Sequence, residues 1–424
     1  MSLNLLKALQ YQAQQALECL EKYDFNQSLS THIMQYQKNH KKMGKRDRLA
    51  HKTWIYELVR WRLPLKTTLQ TLNISHSSAW NPLHFWALAS WVWKWNPTEV
   101  ENLFIQAPIF EKRDLIILKT PEAILLTEQT PVFTPDWLGE LTQADLNQEE
   151  ILEIQNCLKH PPQKTVILHP EKTPVDHTWM PSQYSKINYY IVDQTSENFF
   201  EKPWTMRYQN EGSSIISLMT LTDLPEKRPL KILDLCAGEG GKSHVFQMLI
   251  PKKEDIQLFI WDNVRYHLIE KLVHPSEREN IKPLFVCPPK LPSDMKFDLI
   301  LCDVPCSQSG LVRRLPELTL VSPEKLYAPY LPIQKAILQK AVQHLAPLGI
   351  IVYSTCSIFS QENLQQIDWF LKTFGQFKCF DWPSAHPMTT QNFSQKFSFP
   401  RSQIQLFPQI QACDGFFMAR LKLD

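Results

Sequence analysis

The chain has little glycine, no Cys-x-x-Cys pair and no long apolar run, and each shortage excludes a class of protein. Only ten of the 424 residues are glycine, and Gly44 alone precedes Gly139, which favours helices over a sheet in this part of the chain. Without a Cys-x-x-Cys pair, the nine cysteines indicate neither a disulfide framework nor a zinc site. The most apolar stretch, 83–95, contains His84 and Lys94 and is too short to cross a bilayer.

The composition is that of an ordinary soluble protein with two or three domains. Hydrophobic residues make up 43% of the chain and charged residues 21%. The first ten residues turn polar too soon for a signal peptide. We therefore expect a reduced, cytoplasmic monomer with no metal and no membrane contact.

Positive charge is concentrated in residues 38–66, although the net charge of the whole chain is only +2. This segment carries ten Lys or Arg against Asp47 and Glu57, with Trp54, Tyr56 and Trp61 among them. Such a block can bind the phosphates of a nucleic acid. It can equally be a solvated helix face whose aromatic side chains point into a core. The segment alone leaves both interpretations open.

The hydrophobic periodicity predicts three parts. Residues 1–135 have apolar residues at helical spacing, as between Leu5 and Leu20, and predict a helical domain. Residues 136–210 predict a small α/β module, with a helix at 148–158 and strands at 165–168 and 187–192. From 211 to 424, apolar runs at 231–235, 256–261, 283–286, 297–302 and 350–353 alternate with helical patterns at 241–249, 264–273, 323–346 and 361–373. This alternation predicts a parallel, doubly wound sheet.

A glycine-rich turn follows the first strand of the predicted sheet. The segment Asp234-Leu-Cys236-Ala237-Gly238-Glu239-Gly240-Gly241-Lys242 holds three of the ten glycines and leads into a helix. Glycine allows a sharp turn and a close approach to a ligand. The spacing matches neither a phosphate loop nor G-x-G-x-x-G. The pattern indicates a nucleotide or S-adenosylmethionine site without choosing between them.

The second strand of this sheet ends at Asp262. An acid at this position is well placed to bind ribose hydroxyls. Because a helix is expected to follow, a helix cap is the alternative role.

Cys306 and Cys356 each follow a predicted buried strand, so both thiols are expected at the edge where α/β sheets bind ligands. C5 of cytosine is too weak a nucleophile to take a methyl group unaided, but addition of a thiolate to C6 activates it. An acid such as Asp303 would assist at the pyrimidine edge. Buried cysteines often only fill space, and the residues alone leave that alternative open for Cys356.

Three motifs resemble those of the Sun/Nop family of RNA cytosine-5 methyltransferases. They are residues 234–242, Asp303-Val-Pro-Cys306-Ser-Gln-Ser-Gly310 with the residues up to Pro316, and Tyr353-Ser-Thr-Cys356-Ser with Glu362-Asn363. The ending 414–420 is also similar to the family's last strand. Residues 46–61 resemble the helical NusB-like domain of the bacterial RsmB branch.

The resemblance implies a Rossmann-like, doubly wound methyltransferase domain preceded by a NusB-like RNA-binding domain and a small α/β module. It implies Cys356 as the nucleophile, Cys306 as the thiol that assists product release and Asp303 as a contact to the cytosine edge. S-adenosylmethionine would be held by Cys236, Ala237, Gly238, Glu239, Gly240, Gly241, Lys242, Asp262 and Asp303. The implied substrate is RNA, specifically small-subunit ribosomal RNA.

Two other functions stay open because the sequence departs from the family pattern. Glu239 stands in a turn that reads Ala-Ala-Pro-Gly-Gly in many members, and no acid matches the usual adenine contact after the third strand. A catalytically impaired RNA-binding assembly factor is one alternative. The same chemistry on tRNA is the other, and the NusB-like segment argues against it.

Overall fold

The computed structural model describes residues 3–72, 74, 84, 87–93, 120–143, 146–168, 179–182, 185, 187–190, 206–224, 229–251, 254–263, 282–382, 402–408 and 413–424. By their contacts, the residues form two compact units. The first comprises Met1–Leu138, Leu158–His160 and Val312–Val321, and the second comprises Gly139–Cys157, Pro161–Leu311 and Ser322–Asp424. The division at 135 and 210 that the sequence suggested stays a prediction.

The first unit is helical in its described residues. Its helices are α1 (Leu3–Glu21), α2 (Leu29–Asn39), α3 (Lys45–Arg60), α4 (Arg62–Thr71), α5 (Pro121–Gln129) and the start of α6 (Pro135–Gln143), with a π-helix at Leu88–Val92 and a 3-10 helix at Pro316–Leu320. Polar caps fix some starts: the Ser28 side chain accepts from the Thr31 amide, and Thr120 caps α5 before Pro121. The expected helical part is confirmed, whereas the NusB-like likeness stays a prediction.

The core of the first unit is formed by the apolar stripes of α1, α3 and α4. Ala13, Leu20, Ile55 and Leu65 are buried in it. Trp91 is also buried in this core, whereas Trp80, Trp86 and Trp95 lie outside the described residues. The described helices include none long and apolar enough to cross a membrane.

The second unit is built on an eight-stranded sheet in the order β10-β12-β9-β8-β5-β6-β7, with β11 paired to β12. Its strands are β5 (Leu230–Asp234), β6 (Ile256–Ile260), β7 (Leu284–Val286), β8 (Phe297–Asp303), β9 (Leu345–Thr355), β10 (Phe377–Cys379), β11 (Gln403–Leu406) and β12 (Phe416–Leu423). The five strands β7-β6-β5-β8-β9 are parallel, and β12 is antiparallel to β9. The expected doubly wound α/β fold is confirmed.

The helices of the second unit are α7 (Gln148–Leu158), α8 (Glu211–Thr220), α9 (Gly241–Leu249), α10 (Pro323–Tyr327), α11 (Leu331–His344) and α12 (Leu364–Thr373), with a 3-10 helix at Ser309–Leu311. The helical pattern expected at 323–346 is confirmed up to His344 but is divided. It is two helices, with Pro332 in the first turn of the second, and β9 begins at Leu345. The helix expected at 264–273 lies outside the described residues.

A small antiparallel sheet belongs to the same unit. Its order is β2-β3-β1-β4, from β1 (Thr165–Leu168), β2 (Met180–Pro181), β3 (Asn188–Tyr190) and β4 (Met206–Tyr208). Ile167 of β1 packs against Val245 and Met248 of α9, the helix that follows the glycine-rich turn. The small sheet therefore supports the element that begins at the candidate cofactor site.

Candidate active site

The strand order reverses between β5 and β8, and the candidate residues follow the carboxyl ends of the parallel strands on both sides of this point. Cys236–Lys242 follow β5 and Asp262 follows β6, while Asp303 ends β8 and Cys356 follows β9. Ligands of doubly wound sheets bind at such a reversal. The fold thus brings these residues to one edge of the sheet.

The glycine-rich turn requires its glycines. Gly238 and Gly240 have φ of 55° and 73°, a region that other residues rarely adopt. The Gly238 amide donates to Oδ2 of Asp262 at 2.9 Å, so Asp262 supports the turn. Glu239 is exposed. Both roles expected for Asp262 stay predictions, because the residues after Asn263 lie outside the described part of the chain.

Gln209 approaches the same turn from the end of β4. A side chain added at Gly241 would lie 3.2 Å from Oε1 of Gln209. The amide of Gln209 also donates to Oγ of Ser213 at 2.7 Å, which fixes its position. The sequence reasoning missed Gln209, because no recognised spacing connects it to the turn.

Lys242 and Asp303 connect the glycine-rich turn to the end of β8. Nζ of Lys242 lies 2.5 Å from Oδ2 of Asp303, and Oγ of Ser354 donates to Oδ1 of Asp303 at 3.0 Å. Burial by itself would lower the pKa of Lys242, but the Asp303 carboxylate outweighs it and raises this pKa. Lys242 therefore stays positive, and its electrostatic interaction with Cys356 acts on its pKa in the same direction as Asp303.

The two thiols are in contact. Sγ of Cys306 lies 3.2 Å from Sγ of Cys356, with Cys306 buried and Cys356 half-buried. The hydrogen bond to Cys356, together with burial, raises the pKa of Cys306 well above its usual value. Cys306 is therefore held in its protonated form.

The loops that carry the thiols are tied together by backbone contacts. The Gly310 amide donates to the Cys356 carbonyl at 3.0 Å, and the Gly415 amide donates to the Gly310 carbonyl at 2.8 Å. A Cβ atom at Gly310 would lie 2.0 Å from the Gly415 carbonyl oxygen. The sequence reasoning used 414–420 only as a strand and missed this contact.

Together, the doubly wound sheet, the glycine-rich turn after its first strand and the antiparallel last strand define a Rossmann-like methyltransferase domain. Residues 219–422 match the model of the 16S rRNA methyltransferase RsmB/F family. The match covers slightly less than half of the chain and agrees with the resemblance seen in the motifs.

Curated relatives and a solved structure agree with this assignment. Ribosomal RNA small subunit methyltransferase B of Photorhabdus laumondii subsp. laumondii is 32% identical over 226 residues, which are 52% of this chain and 48% of the relative. Ribosomal RNA small subunit methyltransferase F of Serratia proteamaculans is 30% identical over 226 residues, 51% of this chain and 44% of the relative. The chain thus spans about half the length of the curated relatives it matches. The crystal structure of PH0851 shares the fold, with a TM-score of 0.65 and 18% identity over 97% of this chain and 98% of that one.

The turn after β5 fits S-adenosylmethionine. Asp234 is fully buried, and its Oδ1 has no hydrogen-bond partner among the described residues, so it can accept from the ammonium of a methionine tail. Its Oδ2 accepts from Oγ of Ser243 at 2.5 Å, which fixes the carboxyl group. The left-handed glycines leave space for a ligand close to the backbone.

Proposed function

We propose that this protein methylates C5 of a cytosine in RNA, specifically small-subunit ribosomal RNA, with Cys356 as the nucleophile. S-adenosylmethionine, when bound at the turn after β5, supplies the methyl group. The observation that carries the proposal is the contact of the two thiols beside the Lys242–Asp303 pair. The family match of residues 219–422 supports it.

In the first half of the reaction, Sγ of Cys356 forms a bond with C6 of the flipped cytosine, and electron density moves to C5. The Lys242 ammonium stabilises the thiolate before the attack. Asp303, held by Lys242 and Ser354, orients the pyrimidine edge. C5 is then nucleophilic enough to take the methyl group.

In the second half, a base removes the proton from C5, and the bond between Cys356 and C6 breaks. The electron pair returns to Cys356 as a thiolate. Cys306, whose sulfur is in contact with that of Cys356, assists this release. Cys356 thus forms the covalent bond, and Cys306 assists when this bond breaks.

The experiment that tests the proposal is trapping of the covalent RNA–protein complex. The protein is incubated with labelled cofactor and small-subunit ribosomal RNA, and the complex is resolved under denaturing conditions. Cys356→Ala should form no complex and transfer no methyl group, whereas Cys306→Ala should accumulate the complex. Cys379→Ala, which alters a half-buried cysteine of β10, is the control and should resemble the wild type.

Full methylation by Cys356→Ala would contradict the nucleophile assignment. The same assay with tRNA in place of ribosomal RNA separates the two substrate classes. Calorimetry with S-adenosylmethionine tests the alternative that the protein is a catalytically impaired assembly factor. Such a protein would not bind the cofactor.

A further inference from the structure

Glu362 and Asn363 are adjacent, fully buried polar residues that the catalytic steps above do not use. They follow β9 and precede α12, a few residues beyond Cys356. Burying a carboxyl group and an amide side chain is costly unless each has hydrogen-bond partners. Most partners of the Glu362 side chain lie in or beside the loop of Cys306. Most partners of the Asn363 side chain lie in the loop of Cys356. Glu362 also bonds Ser357 through its carboxyl group and Tyr353 through its carbonyl.

Glu362 holds the loop of Cys306. One carboxyl oxygen, Oε1, accepts from the Ser307 amide at 2.8 Å, and the other, Oε2, accepts from Oγ of Ser307 at 2.5 Å. Nε2 of Gln334 donates to Oε1 of Glu362 and to the Pro305 carbonyl, each at 3.0 Å. Glu362 therefore fixes the backbone on both sides of Cys306, directly at Ser307 and through Gln334 at Pro305.

Asn363 holds the loop of Cys356. Its Oδ1 accepts from Oγ1 of Thr355 at 2.7 Å, and its Nδ2 donates to the Ser357 carbonyl at 3.0 Å. Nδ2 also donates to Oε1 of Gln405 at 2.8 Å, and Gln405 itself donates to the Ser357 carbonyl. Asn363 therefore holds the residues immediately before and after Cys356.

We propose that Glu362 and Asn363 are a pair of positioning residues, in which Glu362 sets the sulfur of Cys306 for release and Asn363 sets the sulfur of Cys356 for attack. The proposal rests on the proposed function, because attack and release are steps of that reaction. Since the two residues are joined by one peptide bond, they also fix the distance between the loops. They thereby connect the two loops on which the sulfurs lie 3.2 Å apart.

The inference predicts unequal effects on the two halves of the reaction. Glu362→Ala leaves the Ser307 amide without its acceptor and loosens chiefly the Cys306 loop, because Asn363 still bonds Thr355 and the Ser357 carbonyl on either side of Cys356. The covalent complex should form at close to the wild-type rate and persist, as in Cys306→Ala. Asn363→Ala should slow formation of the complex, on the order of 100-fold, because a displacement of about 1 Å at a reacting atom has that effect. It should not accumulate the complex.

Two milder variants cover the case in which a truncation fails to fold. Glu362→Gln keeps one oxygen for the Ser307 amide and should slow release less than Glu362→Ala. Ser307→Ala removes the hydroxyl bond to Glu362 but keeps the amide bond, and it should slow release in the same direction. Gln365→Ala, on an exposed residue two positions beyond Asn363, is the control and should leave both rates unchanged.

A second measurement tests the relative positions of the two thiols in the absence of RNA. A reagent that links two neighbouring thiols is added to the free protein, and the linked Cys306 and Cys356 peptides are quantified by mass spectrometry. Glu362→Ala, Ser307→Ala and Asn363→Ala should each slow this link relative to the wild type and Gln365→Ala.

The two measurements separate failure of the inference from failure of the function. If the wild type forms no complex with RNA, the proposed function fails, and the linking rates alone decide the positioning roles. Unchanged linking rates in folded Glu362 and Asn363 variants would overturn the inference. The inference would also be overturned if both variants slowed the formation and the breakdown of the covalent complex equally. That result would indicate a general loss of structure.

Discussion

At the scale of single residues, the candidate site is a set of buried polar groups whose charges are matched. Lys242 neutralises Asp303, and the hydrogen bond to Cys356 together with burial raises the pKa of Cys306. Asp234 is the exception, because one of its oxygens has no partner among the described residues. Matched charges lower the cost of burying these groups, and the remaining oxygen of Asp234 is available to a ligand that donates a hydrogen bond.

The Lys242–Asp303 pair gives a prediction about stability. Lys242→Met leaves the Asp303 carboxylate without its cation, so we expect the free energy of unfolding to fall by roughly 1–3 kcal/mol. Adding Asp303→Asn removes the uncompensated charge and should recover part of this loss. Urea denaturation of the two single variants and the double variant measures the effect, with Lys372→Met on the exposed end of α12 as the control. Strictly additive losses would show that the two side chains are not coupled.

Asp234 gives a prediction about pH. Burial raises its pKa from 3.8 to about 7, partly opposed by the hydrogen bond from Ser243. Between these values the folded protein binds a proton that the unfolded chain releases. The free energy of unfolding should therefore fall as the pH rises from 3.8 to about 7, and Asp234→Asn should lack this component. Denaturant titrations across this range measure the difference, and identical pH slopes for the two proteins would contradict the assignment.

At the scale of elements, the site depends on loops that only meet in the folded sheet. The loops after β8 and β9 carry the thiols, and the turn before β12 contacts the first of them through Gly310 and Gly415. Because β12 is antiparallel to β9, its start lies beside the end of β9 and beside both thiol loops. Strand β12 thus supports the loops after β8 and β9, which carry the two thiols.

The contact between Gly310 and Gly415 gives a prediction that compares Gly310 with Gly375. A methyl group at Gly310 would lie 2.0 Å from the Gly415 carbonyl oxygen, a backbone atom that cannot turn away. We expect Gly310→Ala to lower the free energy of unfolding by about 1–3 kcal/mol and to reduce methylation. Gly375→Ala, where nothing lies within 4 Å of the added group, should be neutral or slightly stabilising. Thermal denaturation measures both variants, and an equal effect at the two positions would contradict the close packing.

At the scale of the whole molecule, the helical unit carries the basic segment 38–66. Trp54 and Trp61 of the basic segment are buried in the helical core, whereas Lys38, Lys41, Lys42, Lys45 and Arg46 are exposed. The aromatic side chains therefore pack as the alternative interpretation expected, and the cations are still available to phosphates. Base stacking by these two tryptophans is excluded by their burial.

The basic segment gives a prediction about binding. Replacing Lys41, Lys42, Lys45 and Arg46 with Glu should weaken RNA binding and make it less dependent on salt. Each lost phosphate contact should lower the slope of log affinity against log salt by about 0.7–0.9. Lys325→Glu and Lys372→Glu on exposed sites of the sheet unit are the controls. Unchanged affinity and an unchanged salt slope in the quadruple variant would refute a role of this segment in binding RNA.

The sequence by itself determined the fold class and predicted the family resemblance and the candidate residues. Buried strands and glycine turns are local patterns, and the motifs at 234–242, 303–310 and 353–357 carry their chemistry within a few neighbouring positions. The bounds of α9 and of α7 follow from periodicity for the same reason. The break between α10 and α11 was missed although it has a local signal: Pro329 and Pro332 disfavour a continuous helix at this point.

Only the tertiary structure decided which groups meet. The contact between Cys306 and Cys356, the bond from Lys242 to Asp303 and the packing of Gly310 on Gly415 join residues far apart in the chain. The motifs included Glu362 and Asn363 but gave them no role, since the distances to the two thiol loops are set by the parallel pairing of β8 and β9. Residue type is a local property of the chain, whereas pKa, burial and hydrogen bonding depend on neighbours that the fold supplies.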